Sequence, residues 1–167
     1  AYNVQTCGYD KQNITIAHRV YNENDTSTMS GMLRRTKKIL GTSDFTALYD
    51  KGYHTGSEIK MAVTSGINIM VAVPGIASVA PDERYNMSHF IYDEIHDSYT
   101  CPQNQVLTTN GKPYQKSKNL HYYTVKHYKT HACPGCPARA LYTKNTKGRL
   151  IERSEFAPYM EQNKRNI

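Results

Sequence analysis

One acidic residue, Asp50, stands where the sequence favours metal chemistry: it follows an apolar run and opens a loop that contains two glycines. A carboxylate at a strand end is held by a rigid sheet and is open to solvent. That position suits Mg²⁺ bound by one or two carboxylates together with substrate phosphate oxygens. Asp-Lys-Gly is also ordinary turn chemistry, because Asp hydrogen-bonds its own backbone and Gly tolerates turn conformations. Spacing alone favours the turn residue and leaves the magnesium ligand open.

Three of the four cysteines have a spacing that suits a metal site. Cys133 and Cys136 flank Pro-Gly in a Cys-x-x-Cys knuckle, with Cys101 upstream and Cys7 far away in the sequence. Two thiolates at this spacing can bind one tetrahedral ion such as Zn²⁺. A secreted, disulfide-stapled domain of this size would carry more cysteines at regular spacing. The pattern therefore favours zinc over disulfides.

The positive charge is concentrated around this knuckle. The stretch from Lys112 to Arg153 contains ten Lys and Arg residues and a single acidic residue, Glu152. Cations interleaved with aromatic rings fit a surface that tracks a DNA backbone, because each neutralised phosphate releases a counterion. A generic basic surface is the alternative. The interleaved aromatic residues are Tyr114, Tyr122, Tyr123 and Tyr128.

Regular elements must position Asp50, and the first 75 residues predict them by hydrophobic period and by cap and turn residues. Strand, strand, helix, strand, helix, strand is an order that predicts a mixed sheet with helices on its faces, in the α/β (α+β) class. The predicted elements are strands over 2–7 and Ile14–Tyr21, a helix from the candidate caps Asp25, Thr26 or Ser27 to Gly41, a strand over 45–49, a helix capped by Ser57, and a strand over 67–73.

The sequence changes character near Pro74-Gly75, after which short strands and basic loops replace the alternating pattern. The predicted strands cover 90–92, 99–100 and 121–128, and a polar helical stretch starts at Ser154 with Phe156, Tyr159 and Met160 on one face. We therefore expect three segments: residues 1–74, a small β-rich, Cys-containing insertion over 75–150, and the start of a C-terminal helical segment over 151–167.

Composition excludes some classes of protein. The chain has 167 residues, 21 Lys plus Arg against 14 Asp plus Glu, and a formal net charge of +7. Its longest apolar runs are too short to span a bilayer, so we expect no membrane crossing. No signal peptide is visible at the start, which predicts cytoplasmic residence, and the missing initiator Met suggests a piece cut from a longer product.

Three motifs occur together in one order. They are Leu48-Tyr49-Asp50-Lys51-Gly52-Tyr53-His54-Thr55-Gly56-Ser57-Glu58-Ile59, the opening Tyr2-Asn3-Val4-Gln5-Thr6, and the block from Tyr99-Thr100-Cys101-Pro102 to Cys133-Pro134-Gly135-Cys136-Pro137. Together they resemble bacterial insertion-sequence transposases of the DDE type, in the branch with a Cys-rich insertion in the catalytic domain. The resemblance covers nearly the whole chain.

The resemblance implies a ribonuclease-H-like fold in which Asp, Asp and Glu hold two Mg²⁺ ions. Two such ions activate the nucleophile and stabilise the leaving oxygen of an in-line phosphodiester displacement. Asp50 matches the second carboxylate of the family. The implied partners are DNA, as transposon ends and target on the bacterial chromosome, and a second subunit in a homodimer of the parent enzyme. Lys51 would contact a phosphate or remain solvated; Tyr53 would stack on a base or pack under its loop.

The other two carboxylates do not match. In the family the first Asp precedes the Tyr-Asn-Val-Gln strand and the Glu follows the segment that ends this chain. Asp10, Glu155 and Glu161 do not sit in those motifs. The chain is therefore expected to be a central fragment with one carboxylate of three, inactive alone. Its sheet, residues 1–74, would be partial, and the absent central strand would leave unpaired edges.

The resemblance also bears on zinc and on DNA contacts. Cys101, Cys133 and Cys136 match three members of a four-cysteine set, and Tyr142 stands where the family has the fourth. Either His131 or His127 would complete a Cys₃His set. The expected phosphate contacts are Lys126, Lys129 and Arg139. The alternative function is a non-catalytic DNA-binding or structural zinc module, or a degenerate transposase remnant.

Overall fold

The computed structural model describes residues 3–22, 27–75, 80–118 and 121–167. They form a mixed α+β protein with ten strands and four α-helices, which confirms the predicted class. None of these helices is long and apolar enough to cross a membrane. The strands are β1 (Asn3–Tyr9), β2 (Ile14–Tyr21), β3 (Thr46–Tyr49), β4 (Asn68–Val71), β5 (Ile91–Asp93), β6 (Ser98–Thr100), β7 (Val106–Thr109), β8 (Tyr114–Lys118), β9 (His121–Lys129) and β10 (Ile151–Ser154), and the helices are α1 (Met29–Leu40), α2 (Gly56–Thr64), α3 (Arg139–Tyr142) and α4 (Ala157–Asn166).

The chain divides into two compact units. Residues 1–75 and 156–167 form the first unit, and residues 76–155 form the second. The C-terminal segment expected over 151–167 is thereby split. Its first residues form β10 in the second unit, whereas α4 belongs to the first. Helix α4 begins at Ala157 rather than at Ser154, because residues 151–154 pair with β9 as a strand.

The first unit contains two separate two-stranded sheets. Strands β1 and β2 form an antiparallel hairpin, and β3 and β4 form a parallel pair. The predicted order of elements is confirmed. The expectation of one mixed sheet is wrong for the described residues, because β1–β2 and β3–β4 share no strand pairing and form two separate sheets.

An apolar cluster holds this unit together. Helices α1 and α2 pack on β3 and β4, and two residues of α4, Tyr159 and Met160, pack against the same cluster. The opposite side of α1 exposes its arginines, so the helix is amphipathic as predicted. Gly41 ends α1 in the left-handed conformation, at φ 67°, and its N–H donates to the carbonyl of Lys37. The buried members of the cluster are Met29, Leu33, Ile59, Ala62, Ile67, Ile69 and Val71.

The start of α1 is capped from another helix. Glu58 of α2 is buried, and its carboxylate accepts hydrogen bonds from the backbone N–H of Ser30 at 2.6 Å and from the Ser30 hydroxyl at 3.3 Å. This carboxylate meets the free N–H groups and positive dipole end of α1. The residue preceding α1 is Thr28, so the predicted cap Ser27 is wrong. The other candidates, Asp25 and Thr26, lie outside the described residues.

Helix α2 also begins earlier than predicted. Its first residue is Gly56 and the residue before it is Thr55, whose side chain makes no capping hydrogen bond. Ser57, the predicted cap, lies inside the first turn. The helix can start there because the N–H of Ile59 bonds to the carbonyl of Thr55 at 3.0 Å.

The second unit is built on a six-stranded antiparallel sheet. Its strand order is β10-β9-β7-β6-β5, and β8 pairs with β9 beside this path. The long strand β9 is therefore the centre of the sheet. Its core is aromatic as well as aliphatic and consists of Phe90, Tyr99, Leu107, Tyr128 and Ile151.

Candidate functional site

Asp50 lies directly after β3 and opens a short 3₁₀ turn, Lys51–Tyr53. Its carboxylate oxygen Oδ1 accepts the backbone N–H of Lys51 at 2.6 Å, and its backbone carbonyl accepts the N–H of Tyr53 at 3.0 Å. The side chain is exposed. Asp50 therefore caps the turn, as ordinary turn chemistry predicts, and presents its carboxyl group to solvent at a strand end. The two interpretations of this residue are compatible.

The two edges of the parallel pair differ. At the outer edge of β4, the side-chain amide of Asn163 accepts the N–H of Val71 and donates to the carbonyl of Val71, both at 2.8 Å. A single residue of α4 thereby replaces a neighbouring strand, and its side chain is fully buried. Strand β3, by contrast, pairs with β4 alone among the described strands. Asp50 thus lies at the end of the strand whose outer edge has no strand partner there.

The loop after Asp50 is anchored on the core by aromatic packing. The rings of Tyr53 and Tyr49 lie 4.9 Å apart, centroid to centroid, and Tyr53 is half-buried. Lys51 is exposed. His54 is partly buried, and desolvation lowers its pKa from the ordinary value. Tyr53 therefore lies under its loop, where it holds the Asp50 turn, and Lys51 is the neighbour that is free to reach a ligand.

Gly56 makes a close approach that the loop needs. A Cβ at this position would lie 2.6 Å from the Cβ of Phe156, the residue before α4. The aromatic ring of Phe156 thus lies against the backbone at the start of α2, and the ammonium of Lys60 lies 5.5 Å from the ring centroid. The glycine in the Thr-Gly-Ser-Glu string is explained by this packing.

Burial raises the pKa of the Tyr49 hydroxyl above its usual range, and the next contribution comes from the thiol of Cys7. Cys7 lies in β1, so the hairpin comes close enough to the end of β3 to influence Tyr49 electrostatically.

The three cysteines of the predicted zinc set line one small cavity. Cys101, Cys133 and Cys136 surround about 20 Å³ together with Tyr142. That volume is on the order of one water or one ion. The described residues include no group of three or more His, Cys, Asp or Glu side chains already arranged to hold a metal ion. The donor chemistry of three thiols and a phenol nevertheless suits a thiophilic ion such as Zn²⁺.

Tyr142 occupies the place beside the knuckle. Its hydroxyl donates to the backbone carbonyl of Cys133 at 3.3 Å. Burial, together with hydrogen bonds to the thiols of Cys133 and Cys136, raises the pKa of Tyr142 above its usual range. A neutral phenol is a weaker ligand than a thiolate, and Tyr142 acts beside the knuckle as a hydrogen-bonding group.

The two histidines lie elsewhere. His131 is exposed and is not among the residues that line the cavity. The ring of His127 stacks on Tyr114 at a centroid distance of 4.1 Å, and its Nε2 lies 3.3 Å from the carboxylate of Glu152. Neither imidazole is brought beside the cysteines, although the Cys₃His set itself stays a prediction.

Both halves of the cysteine site are shaped by tight turns. In the first turn, the N–H of Gln105 donates to the Cys101 thiol at 3.4 Å, and Asn104 adopts a positive φ of 55°. In the second turn, the N–H of Cys136 donates to the carbonyl of Cys133 at 3.2 Å. These turns fix the backbone at Cys101 and at the Cys133–Cys136 knuckle.

Gly148 packs against the side chain of Cys133. It has a positive φ of 90°, and a Cβ added there would lie 2.2 Å from the Cβ of Cys133. Only glycine fits this contact without displacing the knuckle. No role for Gly148 was predicted from the sequence, because a single glycine in a loop carries no signal of a contact 15 residues away.

The predicted phosphate contacts have different surroundings. The ammonium of Lys126 pairs with Asp97 at 2.6 Å, and the guanidinium of Arg139 donates to the carbonyls of Pro134 and Thr146 at 3.2 and 3.3 Å. Lys129 is exposed. Lys126 and Arg139 therefore hold parts of the second unit together, which leaves Lys129 as the most accessible of the three.

Comparison with known proteins returned nothing: no family model, no curated protein and no solved structure matches the chain. A functional assignment therefore rests on the residues and geometry described above.

Proposed function

We propose that this chain carries the central part of a DDE-type transposase catalytic domain, with a partial ribonuclease-H-like sheet. Its reaction is Mg²⁺-dependent cleavage of DNA and transfer of the cut strand during transposition of an insertion sequence. The observation that carries the proposal is the position of Asp50, an exposed carboxylate at the end of β3, the strand with an unpartnered outer edge in its sheet.

The arrangement of strands supports the partial fold. A ribonuclease-H-like sheet has one more strand between an antiparallel hairpin and a parallel pair, and that strand carries the first catalytic Asp. Here the hairpin β1–β2 and the pair β3–β4 occur in that order and form separate sheets. Because Asn163 closes the β4 edge, the β3 edge is where an added strand would pair. Such a strand would bring its carboxylate beside Asp50.

Asp50 alone cannot hold a catalytic pair of Mg²⁺ ions. Mg²⁺ takes six oxygen ligands, and one carboxylate leaves nearly all of them to water and phosphate. When bound, two Mg²⁺ ions activate the attacking oxygen and stabilise the leaving oxygen of an in-line displacement. Asp50 would hold one side of this pair of ions, and Lys51 would neutralise a nearby phosphate. The remaining carboxylates come from outside these 167 residues, so we propose that the chain by itself neither cuts nor joins DNA.

The test compares two polypeptides on supercoiled DNA with Mg²⁺. The 167-residue chain should give no nicking or strand transfer. A polypeptide extended at both ends by its own coding sequence should be active, and Asp50→Asn should abolish that activity. Asp44→Asn, a change at an exposed acid shortly before β3, is the matched control and should be harmless. Activity that survives Asp50→Asn, or nicking by the short chain that Asp50→Ala removes, would contradict the proposal.

A second candidate is a non-catalytic DNA-binding or zinc module. The observation that favours it is the second unit, where three cysteines converge on one cavity inside a basic segment. The two candidates separate in the same assay. A zinc-containing extended polypeptide that binds DNA and never cleaves it supports the module, and a degenerate remnant would show the same result.

A further inference from the structure

Strands β8 and β9 extend beyond the rest of the second unit's sheet as a two-stranded ribbon. Tyr114 pairs with Val125, and the antiparallel register continues to the pair Lys118 and His121. On the other side of β9, β10 pairs only up to Val125, through Ser154. The N–H of Glu155 still donates to the carbonyl of Thr124 at 3.0 Å, so among the described residues of β9 the ribbon is two strands wide from Tyr123 to His121. We call residues 114–118 and 121–125 the ribbon.

The two faces of the ribbon carry different chemistry. Directly opposed residues point to the same side of an antiparallel pair. One face carries the pairs Gln115 with Thr124 and Ser117 with Tyr122, all exposed, and Tyr122 is 71% exposed. The four side chains of this face are uncharged and can form hydrogen bonds, and the carboxylate of Glu155 accepts hydrogen bonds from the N–H and hydroxyl of Thr124 at 3.0 and 3.4 Å.

The opposite face carries the cations. Lys116 lies opposite Tyr123, and Lys118 lies opposite His121. Lys116 is paired with Glu152 at 2.6 Å, whereas Lys118 and His121 are exposed. The ribbon contains no acidic residue, and the sequence has none between Asp97 and Glu152. Glu152 compensates the charge of Lys116, whereas Lys118 is an exposed cation with no acidic residue on its own strand, and a polyanion would stabilise it.

A two-stranded ribbon with these side chains matches B-form duplex DNA best. The major groove of B-form DNA admits a two-stranded antiparallel ribbon, whereas the corresponding groove of duplex RNA is too narrow for side chains to read. Amide and hydroxyl side chains such as Gln115 and Ser117 read base edges, and lysines contact phosphates. The division into an uncharged face and a cationic face corresponds to this division of contacts.

We infer that the ribbon binds in the major groove of duplex DNA. Gln115, Ser117 and Tyr122 face the base edges, and Lys118, with Lys112 at the base of the ribbon, neutralises flanking phosphates. The inference rests on the proposed function, because it supplies the DNA-recognition surface of the same protein. It adds a sequence-reading role to residues outside the predicted contacts Lys126, Lys129 and Arg139.

The experiment measures binding of the whole 167-residue chain to a pool of random duplexes, followed by titration of a selected duplex at several salt concentrations. Lys118→Ala should weaken binding to every sequence by roughly three- to tenfold and lower the salt slope by about 1. Gln115→Ala and Tyr122→Ala should flatten the selected sequence preference. Methylation of guanine N7, which lies in the major groove, should interfere with binding.

Matched controls come from the hairpin of the first unit. Lys11→Ala removes an exposed lysine and Tyr9→Ala an exposed tyrosine, and both should leave affinity and preference unchanged. Thermal melts of every variant should coincide with that of the unmodified chain, because the changed side chains are exposed.

The outcomes separate the inference from the proposed function. If the chain binds duplex DNA but the ribbon variants bind it as well as the unmodified chain, the ribbon inference is wrong and DNA binding stands. Equal or tighter binding to duplex RNA or to single-stranded DNA also overturns groove binding. If the unmodified chain binds no DNA at all, both the inference and a DNA-binding role for this chain fail.

Discussion

The two units of this chain solve the problem of sheet edges in different ways. The first unit has two small sheets, and the β4 edge is closed by the amide of a single buried residue, Asn163. The second unit pairs six strands into one sheet around the long strand β9. Each strand of the second unit pairs with other strands of the same unit. In the first unit, one edge of β3 has no strand partner among the described residues. The candidate catalytic residue lies at the end of that strand.

The units also differ in how they stabilise their interiors. The first unit relies on aliphatic side chains, with one buried carboxylate at a helix start. The second unit relies on aromatic rings whose hydroxyls are tied together. Asp97 accepts hydrogen bonds from Tyr92 at 2.7 Å, from Tyr128 at 2.6 Å and from Lys126 at 2.6 Å. Under the proposed function, the chemistry would take place beside the open edge of the first unit, and the DNA contacts would lie on the basic sheet of the second unit.

Zinc binding should change the stabilities of the two units by the most different amounts, because the ion would stabilise the second unit alone. A chain purified with zinc is expected to hold one ion, worth roughly 5 kcal/mol, below the about 10–16 kcal/mol of full four-ligand sites because Tyr142 replaces a thiolate. Elemental analysis measures the stoichiometry, and chelation followed by urea unfolding measures the stability. Cys136→Ser should lose the ion, whereas Cys7→Ser in the first unit should keep it. An unmodified chain without zinc would remove the metal from this account.

Gly148→Ala tests the packing behind the knuckle. The added methyl group meets the Cys133 side chain and the backbone has a left-handed φ, so we expect a loss of about 3–5 kcal/mol in the free energy of unfolding. Gly111→Ala is the matched control, since its φ is +74° and nothing lies near the new Cβ. It should cost only about 1–2 kcal/mol. Equal losses for the two variants in urea unfolding would mean that the contact with Cys133 does not matter.

Asn163→Ala tests the closed edge of the first unit. Two hydrogen bonds disappear and leave the N–H and carbonyl of Val71 unpaired, so the free energy of unfolding should fall by about 2–4 kcal/mol. Asn166→Ala, at an exposed position of the same helix, should change it by less than about 0.5 kcal/mol. Hydrogen exchange at the Val71 amide should accelerate in the first variant only. An unchanged exchange rate there would show that the amide does not protect the edge.

Asp97 gives the smallest effect, a pH dependence confined to the second unit. The hydrogen bond from Lys126, followed by that from Tyr128, lowers the pKa of Asp97 from 3.8 to about 2. Because the folded pKa lies below the unfolded one, the stabilisation is fully present above about pH 4 and is lost as the pH falls through 2. Asp97→Asn should therefore flatten stability between about pH 5 and pH 2, measured by urea unfolding. Glu94→Gln, at an exposed position, should leave the pH dependence of stability unchanged. Identical pH profiles for the unmodified and Asp97→Asn chains would contradict a stabilising role for the hydrogen bonds to Asp97.

Local patterns in the sequence predicted much of the first unit. The bounds of β2 and the end of α1 at Gly41 are confirmed, because alternation and a C-terminal glycine act within a few residues. The side of β2 that is buried is a partial exception. Ile14 and Val20, which alternate along one face of the strand, are 58% and 54% exposed, and the strand buries Ala17 of the opposite face instead. The alternation of residues defines the two faces of a strand but does not determine which of them packs against the core.

The contacts that shape the candidate sites could not be predicted in this way. Asn163 meets Val71, Glu58 caps Ser30 and Gly148 packs on Cys133, and each pair is far apart in sequence. A single polar or glycine residue has no period, so only the folded chain identifies its partner. The position of Asp50 at the end of a strand was predictable because its signal is local: a carboxylate follows an apolar run and precedes a glycine-containing loop.

The central claim, that Asp50 binds the catalytic metal, can be tested by replacing Mg²⁺ with Fe²⁺. Peroxide and ascorbate then generate radicals that cut the polypeptide backbone next to the bound ion. In the extended polypeptide bound to DNA, the account predicts cuts between Tyr49 and Gly52 that excess Mg²⁺ suppresses and Asp50→Asn removes. Cuts confined to other regions, or cuts at this loop that persist in Asp50→Asn, would contradict the account.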